Sequence, residues 1–150
     1  GKRVVYDPRA VATESAVASI NDELKRRARN MAGNFQLLHE LRDFLNPLMG
    51  LPAFNFWSHK VLRLCQPLVL ASILLLTLVG LPGPVYLALL ITQIVGYSTG
   101  GLGLAGLVWV QKSRLGRLST YVVLTNVAII LGFLRFLRRS QSSAWAMARR

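Results

Sequence analysis

After Asp43 the sequence contains no acidic residue. Its six acids are Asp7, Glu14, Asp22, Glu23, Glu40 and Asp43. Its 18 lysines and arginines continue to the last position, which leaves a net charge of +12. No paired-carboxylate or nucleophile–histidine–acid pattern for catalysis stands anywhere in the chain. One cysteine, Cys65, excludes a disulfide framework. The two histidines, His39 and His59, lie 20 positions apart with no metal-ligand spacing to Cys65, so no metal site is predicted among these residues. Charge itself is missing from Leu64 to Gln111, which is 48 consecutive residues without Asp, Glu, Lys, Arg or His.

At 53% hydrophobic residues the chain is too apolar for intrinsic disorder. A nucleic-acid-binding domain would explain the charge but not the apolar content, so no nucleic-acid partner is expected. A basic membrane protein explains both. A spanning helix needs about 20 apolar residues, and the 48-residue run holds two spans and a turn. A second uncharged run, Leu118 to Leu134, has 17 residues, the short end of spanning length. The class predicted is a mainly α membrane protein with two to three transmembrane helices and membrane lipid as a partner.

The residues divide the chain further. Arg3-Val4-Val5-Tyr6 reads as a short strand stopped by Asp7-Pro8. A lone strand is not stable, so the segment 1–18 reads as the end of an α/β domain that would precede Gly1. The polar start, Gly1 to Arg9, is not followed by the apolar region of a signal peptide. Residues 19–58 form an amphipathic helical region. Ser19-Ile20-Asn21-Asp22 fits a capping box, and Leu24, Ala28, Met31, Phe35, Leu38 and Leu45 keep one apolar stripe up to Asn46-Pro47. Such a helix either lies in the membrane interface or packs on the preceding domain; the stripe suits both. Phe54, Phe56, Trp57, His59 and Lys60 mark a water–lipid boundary. The membrane region, 59–137, would hold spans at about 61–80, 85–110 and 120–136. Pro67 is a candidate kink in the first, and Ser98–Gly103 a candidate interruption in the second. Those glycines are not a phosphate loop, since no Gly-Lys-Ser/Thr follows; in a membrane helix they allow close packing or a bend. The tail, 138–150, is basic.

Charge sidedness is only partly consistent. With Lys25–Arg29 in the cytoplasm, the uncharged turn at Pro82–Pro84 lies outside and Lys112, Arg114 and Arg117 return inside. A third crossing would then put Arg138, Arg139, Arg149 and Arg150 outside. Either the third segment does not fully cross, or the glycine-containing one is re-entrant, or the rule fails here.

One polar cluster stands out: Lys25-Arg26-Arg27-Ala28-Arg29. By composition it is a solvated or lipid-facing patch, or a diphosphate site in which arginine forks pair with phosphate oxygens.

From Arg3 onward the chain resembles the C-terminal part of bacterial membrane-embedded family-2 glycosyltransferases, the superfamily of the cellulose, chitin and hyaluronan synthases. Four stretches carry the likeness: Arg3-Val4-Val5-Tyr6-Asp7-Pro8 with Ala10-Val11-Ala12 and Glu14; Arg27-Ala28-Arg29 with Gly33-Asn34 and Gln36; Phe56-Trp57-Ser58-His59-Lys60-Val61-Leu62-Arg63; and Leu134-Arg135-Phe136-Leu137 with Gln141 and Trp145. In the processive synthases the second stretch reads Gln-x-x-Arg-Trp. Aligned on Gly33, Arg29 falls on that Arg, Arg26 on the Gln and Asn30 on the Trp that contacts acceptor. The resemblance implies donor-diphosphate roles for Arg29 and Arg26, and acceptor-side or interfacial positions for Asn30 and Trp57. Without a tryptophan at Asn30, long-chain processive synthesis is not implied.

The resemblance also implies a nucleotide-sugar donor, a polysaccharide or lipid-linked acceptor, and a multi-pass location in the inner (plasma) membrane with the catalytic side cytoplasmic. Its catalytic residues and its divalent metal, Mg or Mn, would belong to a catalytic domain before Gly1, so the 150 residues alone are expected to be inactive. A rival reading is a small, basic, non-enzymatic membrane protein that serves as scaffold or subunit for a separate catalytic chain. A third is a protein that reads anionic lipid through Lys112, Arg114, Arg117 and the tail.

Overall fold

Ser19 starts the first helix as the sequence predicts. Its backbone is extended and its side chain accepts from the Asn21 backbone N–H at 3.2 Å. In the computed structural model, which describes residues 19–138, helix α1 then runs Ile20–Glu40. The predicted strand at 3–6 and residues 139–150 of the tail lie outside the described residues; among those described there is no strand. The helical pattern was expected to reach Leu45, but α1 stops five residues earlier. Arg42–Leu45 and Pro47–Met49 are 3₁₀ turns, because Pro47 disfavours helix at Asn46 and the chain must turn before it. Gly50, at φ 67°, completes the turn.

Beyond it, α2 (Leu51–Phe56), a π turn (Trp57–Val61) and α3 (Leu62–Leu64) form one continuous arm. The arm meets α4 (Gln66–Val79) at a 63° bend. The bend sits at Cys65 because Pro67 cannot donate to the carbonyl of Arg63 and its ring crowds it. After the turn at residues 80–83, α5 runs Pro84–Leu104. The glycines at 98–103 do not interrupt it. The break comes at residues 105–107, where Gly106 takes φ 93°, a value glycine adopts without strain. A short helix, α6 (Val108–Lys112), leads to α7 (Arg114–Leu137), capped by Ser113, whose hydroxyl accepts from the Gly116 N–H at 2.9 Å.

Two of these helices, α5 and α7, are long and apolar enough to cross a membrane, and the bent pair Leu51–Leu64 with Gln66–Val79 makes a third if it counts as one span. Their outward residues are apolar: Leu68, Leu76 and Val79 on α4, Val85 and Val95 on α5. In water this surface would far exceed what a soluble monomer exposes; in lipid it is satisfied. The described residues are thus mainly helical, with two or three helices that could cross a membrane, consistent with a membrane protein.

α5 and α7 run antiparallel in close contact. A Cβ on Gly100 or Gly103 would collide with Ser119, Val123 or Thr120 of α7. Glycine therefore sits there for approach, not for bending. α1 runs parallel to α7, since successive residues of one meet successive residues of the other. Arg27 lies at Tyr121 and Thr125, Met31 at Gly132, and Phe35 and His39 at Phe136. Most of the expected stripe does the packing: Ala28 is fully buried, and Met31 joins Leu64 and Ile129 in the core with Phe35 and Leu38 against it; Ala32, outside that stripe, is also fully buried. The partner of α1 among the described residues is therefore a helix of spanning length.

Candidate functional site

The basic stretch of α1 is divided by helical geometry. Residues three and four apart share a face, so Glu23 is placed to meet both Arg26 and Arg27. Its carboxylate accepts from Arg26 Nε at 2.9 Å and Nη2 at 3.1 Å, a two-bond fork. It also accepts from Arg27 Nε at 2.6 Å. Arg27 turns toward α7, where its Nη1 donates to Thr125 Oγ1 at 3.1 Å and its guanidinium carbon lies 4.7 Å from the centre of the Tyr121 ring. Lys25 and Asp22 form an exposed pair at 3.7 Å, which contributes little. Across the junction, Arg135 Nη1 approaches the Lys25 carbonyl at 3.5 Å.

These contacts set the charge states. The Arg27 hydrogen bond holds Glu23 below the ordinary carboxylate value, against the opposing effect of its partial burial, with Arg26 adding to the lowering. Burial works against the Arg27 charge, but Glu23 and Tyr121 more than offset it and its pKa is raised. Because the folded pKa of Glu23 lies below 4.5, its stabilisation of the α1–α7 contact is complete above that value and is lost as pH falls through the lowered one. Glu23→Gln is therefore expected to lower the melting temperature at pH 7 and to flatten its decline on acidification. Parallel acid slopes for the two proteins would refute the pairing.

The residues singled out by sequence fall as follows. Arg29 is half-buried on α1 and Asn30 is exposed one position on. Arg26 is half-buried and held by Glu23. Trp57 lies in the π turn, where its Nε1 donates to the Leu45 carbonyl at 3.2 Å and its ring lines a shallow hollow with Pro47, Gly50, Ala53 and Phe54. What that turn brings to α1 is Lys60, whose Nζ lies 3.3 Å from Asn34 Oδ1. Two of the stretches that carry the resemblance thus meet in space, 26 positions apart in sequence. Arg27 stands in the basic cluster and in the resembling stretch, but its pairing with Glu23 and its turn toward α7 were not expected. The i, i+4 spacing of the pair was legible, but the α7 residues that receive Arg27 were not.

Among the described residues no three His, Cys, Asp or Glu side chains come close enough to hold a metal ion. The described segment thus supplies no ligand set for the divalent metal that the resemblance implies. Arginine forks on a helix face can hold a phosphate or diphosphate. Comparison with protein-family profiles, curated proteins and solved structures finds no match to this chain.

A geometric consequence follows from the parallel docking. Tyr121 and Thr125 lie 7 and 11 residues into α7, about 10–16 Å from its start at 1.5 Å per residue. The charges of α1 flank the same length of α7. Charged side chains beside a membrane helix do not face hydrocarbon; they face protein or water. The outer face of α1, with Asp22, Lys25 and Asn30 exposed, thus requires a polar cover.

Proposed function

We propose that the chain is the C-terminal membrane module of a family-2 glycosyltransferase, which moves a sugar from a nucleotide-sugar donor to a polysaccharide or lipid-linked acceptor. The observation that carries this reading is the charged face of α1, clamped along an apolar helix and in need of a polar cover. In the family the chain resembles, the catalytic domain sits against the helix that bears this motif. Arg29 then faces the donor diphosphate, with Arg26 beside it; Asn30 and Trp57 lie toward the acceptor. With the catalytic side cytoplasmic, α1 would carry the donor-site arginines along α7 rather than lie flat in the membrane interface. The reading derives no chemical step from this segment alone. The catalytic acids, the general base and the metal belong to the catalytic domain.

The test is sugar transfer by the complete gene product. Membranes that contain it are incubated with labelled nucleotide sugars and a divalent cation, and the product is recovered with glycolipid or insoluble glycan. Transfer that copurifies with one polypeptide containing these peptides is expected. Transfer that separates onto a second polypeptide would replace this reading with the rival one, in which the α1 face docks a separate catalytic chain. No transfer from any donor would overturn both.

A further inference from the structure

The corner between α5 and α7 takes no part in the proposed transfer. It joins two helices of spanning length, so residues 105–113 lie at a membrane boundary when both cross. Three bases crowd it: Lys112, Arg114 and Arg117, all exposed. Arg117 is fixed in place, since its Nη1 donates to the carbonyls of Gln111 and Lys112 at 3.1 and 3.0 Å. Bases in the first turn of a helix oppose its dipole, which favours acids there, and no acid occurs anywhere beyond Asp43. Among the described residues no acidic side chain pairs with Lys112, Arg114 or Arg117. Beside it, Val108, Trp109, Leu115 and Leu118 are each 60% exposed or more, an apolar and aromatic collar around the cations. Tryptophan at such a level sits among lipid headgroups, with its ring in the apolar boundary.

We infer that this corner is a binding site for the phosphate headgroup of an anionic phospholipid, held by Lys112, Arg114 and Arg117 with its acyl chains against Trp109, Leu115 and Leu118. A soluble anion would satisfy the cations but not the collar; a zwitterionic lipid would satisfy the collar but not the cations. Only an anionic lipid matches both. The occupant is independent of the transferase reading, because none of these residues belongs to the α1 site.

The test reads Trp109 directly. In the full-length protein, Trp57→Phe and Trp145→Phe leave Trp109 as the reporter within this chain; any tryptophan elsewhere in the complete polypeptide is replaced in the same way. The protein is reconstituted in phosphatidylcholine with a fixed small fraction of brominated phosphatidylglycerol, or with the same fraction of brominated phosphatidylcholine. Quenching by the anionic lipid should report an association about tenfold stronger than that of the zwitterionic one, since each base near the surface contributes to anionic-lipid attraction. Lys112→Gln with Arg114→Gln, which removes no hydrogen bond described above, should abolish most of this preference. Inorganic phosphate at millimolar concentration should not displace the lipid. Equal quenching by the two lipids, an unchanged preference in the double variant, or displacement by phosphate would each overturn the assignment.

Discussion

On the proposed transferase reading, Arg29→Ala in the complete polypeptide is expected to lower turnover by about a hundredfold, the cost of removing one fixed donor from a developing anionic charge. Departure of a nucleoside diphosphate builds negative charge on the leaving oxygen. A cation held beside it stabilises the transition state more than the bound donor. The loss should therefore appear in kcat, with KM for the nucleotide sugar little changed. Arg29→Lys keeps the charge but not the planar fork, so it should restore only part of the rate. Arg26→Ala should also lose the two-bond fork to Glu23, at 2.9 and 3.1 Å. Arg27→Ala should fail in another way, with a lower melting temperature, because it is the arginine that ties α1 to Thr125 and Tyr121. Turnover within about threefold of wild type in Arg29→Ala would remove the diphosphate role, set against the far larger loss that a fixed donor implies.

The features readable in advance were those decided locally. Ser19 caps α1 because a hydroxyl before a helical stripe satisfies an otherwise unpaired N–H, and no distant residue is needed. The apolar helices followed from uncharged runs long enough to span. What failed to show depends on partners far along the chain. By sequence, the glycines of Ser98–Gly103 allow close packing or a bend. The close packing is what occurs, with Gly100 and Gly103 pressed against α7, while the expected interruption is absent and the actual break is at Gly106. A glycine that permits contact and a glycine that ends a helix look alike in one sequence.

The same limit applied to α1. Its stripe was visible from Leu24 to Leu38, but a stripe does not name its partner. Interface and preceding domain were the two expectations, and the structure supplies α7, about a hundred positions away. The packing role of Arg27 went unnoticed for this reason: its bond to Thr125 spans 98 positions. Of the candidate site, the cationic run was legible, but its division was not. Arg27 is committed inward, Arg26 sideways to Glu23, and Arg29 stands one turn beyond Arg26.

Gly132→Val should detach α1 from α7. A Cβ at Gly132 would lie 2.6 Å from Met31 Cβ, 2.9 Å from the Ala32 nitrogen and 3.0 Å from the Ala28 oxygen. Two of those three atoms are α1 backbone and cannot rotate away, so the helices must separate. Overpacking of this kind costs about 1–3 kcal/mol. Each ~1.4 kcal/mol shifts the docked-to-undocked ratio about tenfold. Undocking frees the helix backbone at Lys25–Arg29, which trypsin cleaves, so cleavage there should accelerate by about 5- to 140-fold on that conversion. Gly96→Ala is the control. Its Cβ would meet nothing within 4 Å, and alanine in a helix interior is favoured over glycine by roughly 0.5–1 kcal/mol, so its cleavage should not rise. If Gly132→Val leaves cleavage at the wild-type rate, α1 does not depend on α7 for its position. The polar-cover argument for the catalytic domain would then lose its premise, because α1 would be free to lie elsewhere at the membrane.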